Sequence, residues 1–456
     1  MAPWRRGVSG RVHGGDPEGG GCAAAALLVC AVALAADGDQ DQTFGNSGQL
    51  TITRVGGDGS VTGMEPTGDL VVLADGRYLW AAPLKDGSLW VGRALRDGAA
   101  DVGFGVDGSG RVRLQACTDA REARMVAEVD GGVVAWTGSC LVKLRGDGSV
   151  DAGFGAGPQP PAGLRTARLA RDAQGRFLLA GTSASRWLVY RFLADGTLDG
   201  GFGIAGEVEV AVPATNNVRE LHAVVLRADG RIVLGGLRGN THGPNLVVAQ
   251  LLADGTPDAA WDGDGLVDLE APDGYQTLSA NALVLDRDGS LVVGGMGSDG
   301  GVSCCVLLAR LDPAGQLVPG FGLRLFRLDG SPPLGGFFEQ RDSVFIQPDG
   351  RIVVATAAFP SMPPFENRTQ YALVRTMADG TVDATFGHAG WTSFGIHDPS
   401  GSGQSGDYNQ LHAAAWQGGG LLMLGRTFFE DNSNGEDYVS FVRARFEGIF
   451  ADGFER

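Results

Sequence analysis

Residues 192–203 read FLADGTLDGGFG, and the last five of them form a motif, Asp-x-x-Phe-Gly, that recurs along the chain. Intact copies of the motif start at Asp41, Asp101, Asp151, Asp199 and Asp383, and weaker copies start at Asp258 and Val318. From Phe44 to Phe386 is 342 residues over six intervals, a mean period of 57 residues. Self-similarity at a long fixed period predicts that one supersecondary unit is stacked or arranged in a ring.

A second motif, a Gly-containing turn that is often Asp-Gly, recurs in phase with the first. It occurs at residues 74–77, 130–132, 174–176, 228–231, 287–290, 348–351 and 417–420. Short apolar runs flank most copies, and Asp-Gly between two β-branched runs is a strong hairpin signal. A third apolar segment precedes each Asp-x-x-Phe-Gly and a fourth follows it. Each repeat therefore predicts four short strands, here named a, b, c and d.

The repeat is incomplete at both ends of the chain. The first Asp-x-x-Phe-Gly precedes the first a–b turn, so residues 48–54 read as a strand d without its own a, b and c. The last repeat has three strands and lacks a convincing fourth. We therefore predict an all-β fold, a seven-bladed β-propeller of four-stranded blades, with the ring closed by the N-terminal strand.

The recurring motif has a structural explanation. Its Asp is expected to accept backbone N–H groups in a turn, and its Phe to enter the seam between two blades. Burying such a ring stabilises the fold by roughly 2 kcal/mol. The Gly that follows allows the chain to reverse.

These repeats resemble the delta-60 repeat family of bacterial β-propeller proteins. The residues that carry the resemblance are ADGRIVLGG at 228–236, LLADGTPD at 251–258 and FLADGTLDGGFG at 192–203. The resemblance covers about residues 37–445 and implies a propeller on a secreted or surface protein. It implies no reaction, because the family offers no catalytic motif to transfer.

The N-terminal residues 1–36 are predicted to be a secretory signal segment. Arg5 and Arg6 precede an apolar stretch at 22–36 that contains Ala33-Leu34-Ala35, a small-residue cleavage signal. A later translation start and a twin-arginine signal are alternatives. We expect residues 37–446 to form the propeller and 447–456 a short tail, with the protein secreted, periplasmic or at the cell surface.

Charge limits the partners. The formal net charge is −17, which argues against nucleic acid and against anionic membrane surfaces as partners. No further transmembrane segment is predicted, so we expect no membrane insertion of the mature chain, and a monomer.

An oxidising compartment permits a bridge between Cys117 and Cys140. Cys304 and Cys305 are adjacent in a predicted strand, so we expect one buried and one partly exposed thiol.

Strand order places candidate binding residues on one face. The a–b and c–d turns emerge on one side, the turn face, whereas the b–c and d–a connections emerge on the other, the loop face. The loop-face connections are longest at residues 238–245, 329–342, 359–370, 396–410 and 428–437. Candidate ligand or partner residues in them are Phe337, Phe338, Arg341, Phe365, Arg368, His397, Tyr408, Phe428 and Phe429. The alternative is that these side chains only pin their own loops.

A second candidate site is the rim of the central channel. His222, Asn281, Asp342 and His412 fall at similar places at the start of strand a, which lines the channel of a propeller. A polar rim binds a ligand, an ion or ordered water, and water is the favoured interpretation.

Two functions follow from these features. The leading hypothesis is a non-catalytic binding or scaffold module that recognises a protein or glycan, with no catalytic residue, metal or cofactor. The sequence contains no His-Glu-x-x-His, Gly-x-Ser-x-Gly or Walker motif. The alternative is a propeller enzyme, a lyase or hydrolase, that acts at the channel mouth.

Overall fold

The structure is a computed structural model. It describes residues 36–53, 68–84, 86–115, 122–155, 163–214, 216, 218–239, 243–299, 303–327, 343–358, 369–396, 408–428 and 437–446. These residues belong to one compact unit, Ala36–Arg456, and they form strands and turns without a helix. Within these ranges no helix is long and apolar enough to span a membrane.

The first three blades follow one another along the chain. Blade 1 contains β2 (Asp69–Val72), β3 (Tyr78–Pro83), β4 (Leu89–Ala94) and β5 (Arg111–Leu114). Blade 2 contains β6 (Arg124–Ala127), β7 (Val133–Trp136) and β8 (Leu141–Leu144), and the position predicted for its strand d lies outside the described residues. Blade 3 contains β9 (Arg165–Arg171), β10 (Phe177–Ser183), β11 (Arg186–Phe192) and β12 (Glu207–Val210).

The next three blades repeat the pattern. Blade 4 contains β13 (Arg219–Leu226), β14 (Ile232–Gly239), β15 (Pro244–Leu251) and β16 (Leu266–Leu269). Blade 5 contains β17 (Thr277–Leu285), β18 (Leu291–Ser298), β19 (Ser303–Leu311) and β20 (Leu323–Phe326). Blade 6 contains β21 (Ser343–Ile346), β22 (Ile352–Ala358), β23 (Gln370–Thr376) and β24 (Trp391–Phe394).

Blade 7 joins the two ends of the chain. It contains β25 (Tyr408–Gln417), β26 (Gly420–Phe428), β27 (Asp437–Arg445) and, as its outer strand, β1 (Gln49–Thr53). β1 pairs antiparallel with β27, with Gln49 opposite Val442 and Thr53 opposite Tyr438. The seven-bladed all-β prediction and the closure by the N-terminal strand are both confirmed.

Seven apolar clusters fill the seven seams between neighbouring blades. The aromatic residue of each repeat motif lies in one of them. Phe44, Phe104 and Phe202 are fully buried, and Trp261 and Phe386 are 1% exposed. The expectation that this ring enters the seam is therefore correct, and the main apolar core of the protein lies between the blades.

The Asp of the motif makes the expected turn and also holds a cation. Asp383 Oδ1 accepts the backbone N–H of Thr385 at 3.0 Å, and Asp383 Oδ2 accepts Arg375 Nε at 2.8 Å. Burial alone would raise the pKa of Asp383, but hydrogen bonds from Thr385 and the charge of Arg375 outweigh it and lower that pKa below its ordinary value.

We call this arrangement the interblade clamp: an Arg of strand c, the motif Asp and the motif Phe. It is complete in four blades, in Arg93–Asp101–Phe104, Arg191–Asp199–Phe202, Arg375–Asp383–Phe386 and Arg443–Asp41–Phe44. Each guanidinium also lies over the ring of its Phe, 4.4–5.0 Å from the centroid.

The clamp reaches the next blade around the ring. Arg191 Nη1 donates to Ala253 O at 2.5 Å, and Arg375 Nη1 contacts Asp37 Oδ2 at 2.8 Å. The motif Gly adds a backbone bond across the same seam, as where Gly105 N donates to Asp147 O at 2.9 Å. In the weaker copy, Asp262 takes the Gly position with a φ of 53°, a conformation that Asp tolerates better than most side chains.

The cysteines correct one expectation. Cys140 takes part in a disulfide bond, and so does Cys305. The prediction that Cys304 and Cys305 are thiols is therefore wrong for Cys305. That prediction assumed a regular strand, but the β18–β19 register shifts between Gly297 and Ser298, at the start of β19. Cys117 lies outside the described residues.

Candidate functional site: the central channel and the loop face

The inner strands of all seven blades surround a cavity of ≈ 320 Å³. These strands are β2, β6, β9, β13, β17, β21 and β25. The polar and charged residues that line the cavity are Asp69, Arg124, Arg168, Asn281, Ser343 and His412. Apolar residues such as Met125, Val224 and Phe345 complete the wall. We call this cavity the channel.

Inner strands β9, β13, β17 and β25 carry a β-bulge at this level, and in the last three the extra residue is a predicted rim residue. In β13, Leu221 pairs with Gly236 and Ala223 with Gly235, so His222 is the extra residue. The equivalent extra residues are Asn281 in β17 and His412 in β25. A bulge bends its strand and redirects a side chain, so these three polar residues share one structural cause.

A Gly of strand b makes each bulge possible. The three residues are Gly236, Gly295 and Gly425, which pair with the residue just before the extra one. A Cβ at Gly295 would overlap the carbonyl oxygen of Ser279, and the other two meet the carbonyl oxygens of Glu220 and Gln410 in the same way. The bulge therefore depends on backbone contact that only Gly permits.

Replacing Gly295 by Ala is expected to destabilise the protein by about 1–3 kcal/mol, because the added methyl group meets backbone atoms that must shift. Urea denaturation of the purified protein measures the change. The control is Gly200→Ala: a Cβ there has open space around it, so the cost should stay within about 0.5 kcal/mol. Equal stability of the two variants would contradict this account of the bulge.

His222 is held in a polar network between blades 4 and 5. Its Nε2 lies 3.2 Å from Glu220 Oε2, and this hydrogen bond lowers the pKa of Glu220. Its Nδ1 lies 3.1 Å from Ser279 Oγ and 3.2 Å from Asn281 Oδ1. Ser279 Oγ in turn donates to Asn281 Oδ1 at 2.6 Å. These contacts join β13 of blade 4 to β17 of blade 5.

His412 links the last blade to the first. Its Nδ1 accepts the backbone N–H of Gly68 at 3.1 Å, across the seam where the ring closes. Next to it, Asp69 Oδ2 accepts the N–H of Met125 at 2.6 Å and joins blade 1 to blade 2. Both channel residues therefore take part in holding neighbouring blades together.

Two arginines of blades 2 and 3 meet at one backbone carbonyl. Ala167 O accepts Arg124 Nε at 2.9 Å and Arg168 Nη1 at 2.9 Å. Arg124 Nη2 also donates to Glu122 Oε1 at 2.6 Å, and the side chain of Arg124 is 6% exposed. The wall of the channel thus carries two guanidinium groups side by side.

The predicted rim residues are therefore distributed as follows. Asn281 and His412 line the cavity, and His222 occupies the same bulge position in β13 beside them. Asp342 lies outside the described residues. Sequence reasoning missed Arg124 and Arg168, which fall one position after the rim when the repeats are aligned on their a–b turns. That alignment was the signal that could have found them.

The predicted loop-face residues lie mostly beyond what the structure describes. Phe337, Phe338, Arg341, Phe365, Arg368, His397 and Phe429 fall outside the described residues. Tyr408 and Phe428 are not loop residues: they sit opposite each other at the end of the β25–β26 ladder. The predicted loop at 238–245 is also shorter, because β14 and β15 pair as far as Gly239 and Pro244. The antiparallel β14–β15 ladder thus includes residues that the sequence analysis assigned to the connection.

On the turn face, Asp side chains are hydrogen-bonded to the backbone of their own turns. An Asp accepts the backbone N–H two residues later in the a–b and c–d turns of blades 1–6. The residues are Asp75, Asp97, Asp130, Asp147, Asp172, Asp195, Asp229, Asp254, Asp288, Asp312, Asp349 and Asp379. In several of them a hydroxyl adds a second bond, and that from Thr197 lowers the pKa of Asp195. These carboxylates have a structural task.

Among known proteins, the repeats match a β-propeller family. Three segments, residues 175–202, 227–260 and 347–386, match the model of the DUF5122 β-propeller domain, a domain of unknown function. The matched segments include ADGRIVLGG at 228–236 and most of FLADGTLDGGFG, the residues that carry the resemblance seen in the sequence. No curated protein matches the chain in sequence.

Several solved structures are similar to this chain at low identity. A lectin from Burkholderia pseudomallei is 15% identical, with 83% of this chain and 96% of the lectin covered and a TM-score of 0.49. A protein of unknown function from Dyadobacter fermentans is 12% identical, with 88% and 98% covered and a TM-score of 0.42. A gluconolactonase from Xanthomonas campestris is 15% identical, with 70% and 86% covered and a TM-score of 0.36.

Proposed function

We propose that this protein is a non-catalytic binding module at the cell exterior, which presents its loop face to a protein or glycan. The observation that supports this proposal is the contrast between the two faces of the ring. On the turn face, the Asp side chains of blades 1–6 are bonded to their own turns. The long connections all leave the loop face, where a rigid ring can present variable residues.

The chemistry of those connections favours recognition. They contain the aromatic and Arg residues that dominate the energetics of protein interfaces, among them Phe365, Arg368 and Phe429. The interblade clamps fix the ring beneath them, so little binding free energy is lost in ordering the scaffold. We therefore place the partner contact on the connections of blades 5–7.

Replacing Phe365, Arg368 and Phe429 together by Ala is expected to weaken binding at least about 30-fold, the effect of losing one strong interface contact. The partner is first identified on glycan and extracellular-protein arrays, and affinity is then measured by surface plasmon resonance. Thermal unfolding should be unchanged within about 0.5 kcal/mol, as for most exposed residues.

The matched control lies on the opposite face. Asp195→Asn and Asp379→Asn change exposed turns, and binding should persist in both. If the triple variant binds normally and the turn variants lose binding, the partner binds the turn face and the proposed face is wrong.

The Glu220–His222 pair supports a second candidate, a lyase or hydrolase that acts at the channel mouth. An imidazole bonded to a carboxylate at 3.2 Å is suited to moving a proton. His222, Asp342 and His412 would then serve as acid and base groups. Turnover of polysaccharides or lactones that His222→Ala abolishes would favour this candidate over the binding module.

A further inference from the structure

Among the residues that the structure describes, two cysteines take part in disulfide bonds, Cys140 and Cys305. Cys140 directly precedes β8 of blade 2 and packs against the apolar cluster in the seam between blades 1 and 2. Cys305 lies in β19 of blade 5 and is fully buried. Blades 3 and 4 separate these positions along the ring. The two cysteines therefore belong to different bridges, and each needs another partner.

The rest of the chain restricts these partners. The other cysteines are Cys22, Cys30, Cys117 and Cys304. The first two belong to the predicted signal segment. Cys117 comes three positions after Leu114 of β5, and Leu114 packs in the same seam cluster as Cys140. Cys117 is therefore the cysteine within reach of Cys140, which leaves the sequence neighbour Cys304 for Cys305.

The backbone of β19 removes the obstacle to a bridge between adjacent residues. In a regular strand Cys304 and Cys305 would point to opposite faces of the sheet. In β19, Gly297 is opposite Cys305 and Ser298 is opposite Ser303, so Cys304 is the extra residue of a β-bulge. A bulge bends its strand and redirects a side chain. It therefore breaks the alternation that would keep the two sulfur atoms apart.

This bulge lies at the loop-face end of blade 5, beside the β18–β19 connection at 299–302. Ser298 O accepts the N–H of Gln276 at 2.7 Å, and Ser298 Oγ lies 2.6 Å from Thr277 Oγ1. Thr277 is the first residue of the inner strand β17, which also carries Asn281 of the channel wall. The bulge is thus connected by hydrogen bonds to the strand that lines the channel.

We propose that Cys304 and Cys305 form a disulfide bond and that this bond is a redox switch for the β18–β19 connection. Adjacent Cα atoms are about 3.8 Å apart, whereas those of most disulfides are roughly 4.4–6.8 Å apart. The bond therefore closes a small ring that contains one peptide group, and strained bonds are reduced more easily than ordinary ones. The oxidised bridge holds the bulge. Reduction frees Cys304 to turn to the other face, and the connection loosens.

The reductant is a dithiol. One of its thiolates attacks the sulfur of Cys304, because Cys305 is 0% exposed. The S–S bond breaks, a mixed disulfide forms on Cys304, and Cys305 leaves as a thiolate that takes up a proton. The second thiolate of the reductant then displaces Cys304. Both cysteines end as thiols and the dithiol ends as a disulfide, so two electrons and two protons pass to the protein.

Peptide mapping of the full chain under non-reducing conditions tests the assignment. After alkylation of free thiols, trypsin releases residues 288–310, which contain Cys304 and Cys305 and no other cysteine. Mass spectrometry should find this peptide unlinked, unalkylated and lighter by two hydrogen atoms than its reduced form. A cross-link from it to the peptide of Cys117 or of Cys140, or alkylation of either of its cysteines, would overturn the assignment.

Equilibration in dithiothreitol redox buffers tests the switch, and the bridge of Cys140 is the matched control in the same molecule. Half-reduction of the Cys304–Cys305 bond should occur at a ratio of reduced to oxidised dithiothreitol at least about tenfold lower than for the Cys140 bridge, as expected for a strained bond. Equal midpoints, or earlier reduction of the Cys140 bridge, would show that blade 5 carries a structural bridge and not a switch.

Hydrogen exchange measures the consequence for the backbone. The amides of residues 298–306 should exchange about tenfold faster in the reduced protein, and also in Cys304→Ser without reductant, because both lack the bond. Cys117→Ser is the matched variant and should leave exchange at 298–306 unchanged. Unchanged exchange after reduction of the wild type would overturn the switch.

Two features keep these tests decisive. If Cys304→Ser does not fold, the wild type reduced to increasing extents provides the same comparison. None of the measurements uses the loop-face partner, so failure of the proposed function and failure of the switch are distinguishable.

Discussion

Deletion of residues 41–53 is expected to abolish the cooperative native fold at 25 °C. The deletion removes β1 and with it the backbone ladder to β27, the buried Phe44, and Asp41, the partner of Arg443. Losing a buried Phe costs about 3–5 kcal/mol, and leaving a buried Arg without its carboxylate costs a similar amount, about 3–5 kcal/mol. Together these losses approach the roughly 5–15 kcal/mol that stabilises a typical protein.

Circular dichroism during heating and size-exclusion chromatography measure the effect of this deletion. A rescue chain provides the control: residues 36–53 are moved behind Phe446 through a short Gly-Ser linker. Gly38 N donates to Arg445 O at 2.7 Å, so the two ends already lie close together. The rescue chain should regain cooperative unfolding. A deletion variant that melts like the wild type would contradict closure by β1.

Replacing Arg375 by Met is expected to destabilise the protein by about 3–5 kcal/mol. Arg375 and Asp383 are 3% and 4% exposed, so the substitution leaves a buried carboxylate whose remaining cation, the partly exposed Arg351, lies 3.6 Å away. The same change removes the contact with Asp37 at 2.8 Å and the stacking on Phe386 at 4.5 Å. Urea denaturation at neutral pH gives the difference in unfolding free energy.

Two further variants isolate the clamp. Arg113→Met breaks an ion pair with Asp86 whose side chains are 46% and 52% exposed, and it should cost no more than about 1 kcal/mol. The double variant Arg375→Met with Asp383→Asn removes the buried charge but keeps the turn, and should recover part of the loss. If Arg375→Met costs no more than Arg113→Met, the clamp is not what stabilises the seam.

The blade count and the closure were predictable because each repeat carries its own turn and its own aromatic residue. The count therefore needs no knowledge of contacts between repeats, and a strand d that precedes the first a–b turn indicates how the ends join. The clamp arginines were not predicted. A lone cation such as Arg191 in strand c looks like a solvent-exposed residue until the seam places it 2.7 Å from Asp199.

The candidate site was predictable in position and less so in chemistry. The phase of the repeats placed His222, Asn281 and His412 at one level of the ring, but the bulges that direct them depend on Gly residues of another strand. Bulges leave little signal in a single strand. The phase of the repeats could also have placed Arg124 and Arg168 one position after this level, but their meeting at the carbonyl of Ala167 is a contact between two blades that no single strand indicates.

The closure of blade 7 also has a consequence for how the chain folds during synthesis. Arg443 and Asp41 are 402 positions apart. The first residues of the propeller to leave the ribosome therefore have no pairing partner until almost the last ones have been synthesised. Contacts with such long sequence separation form slowly, because a large loop must close before they contribute. Until then β1 remains a short strand with an open edge, which is prone to pairing with other chains. For this protein, the early life of the nascent chain is therefore the period in which aggregation competes most strongly with folding.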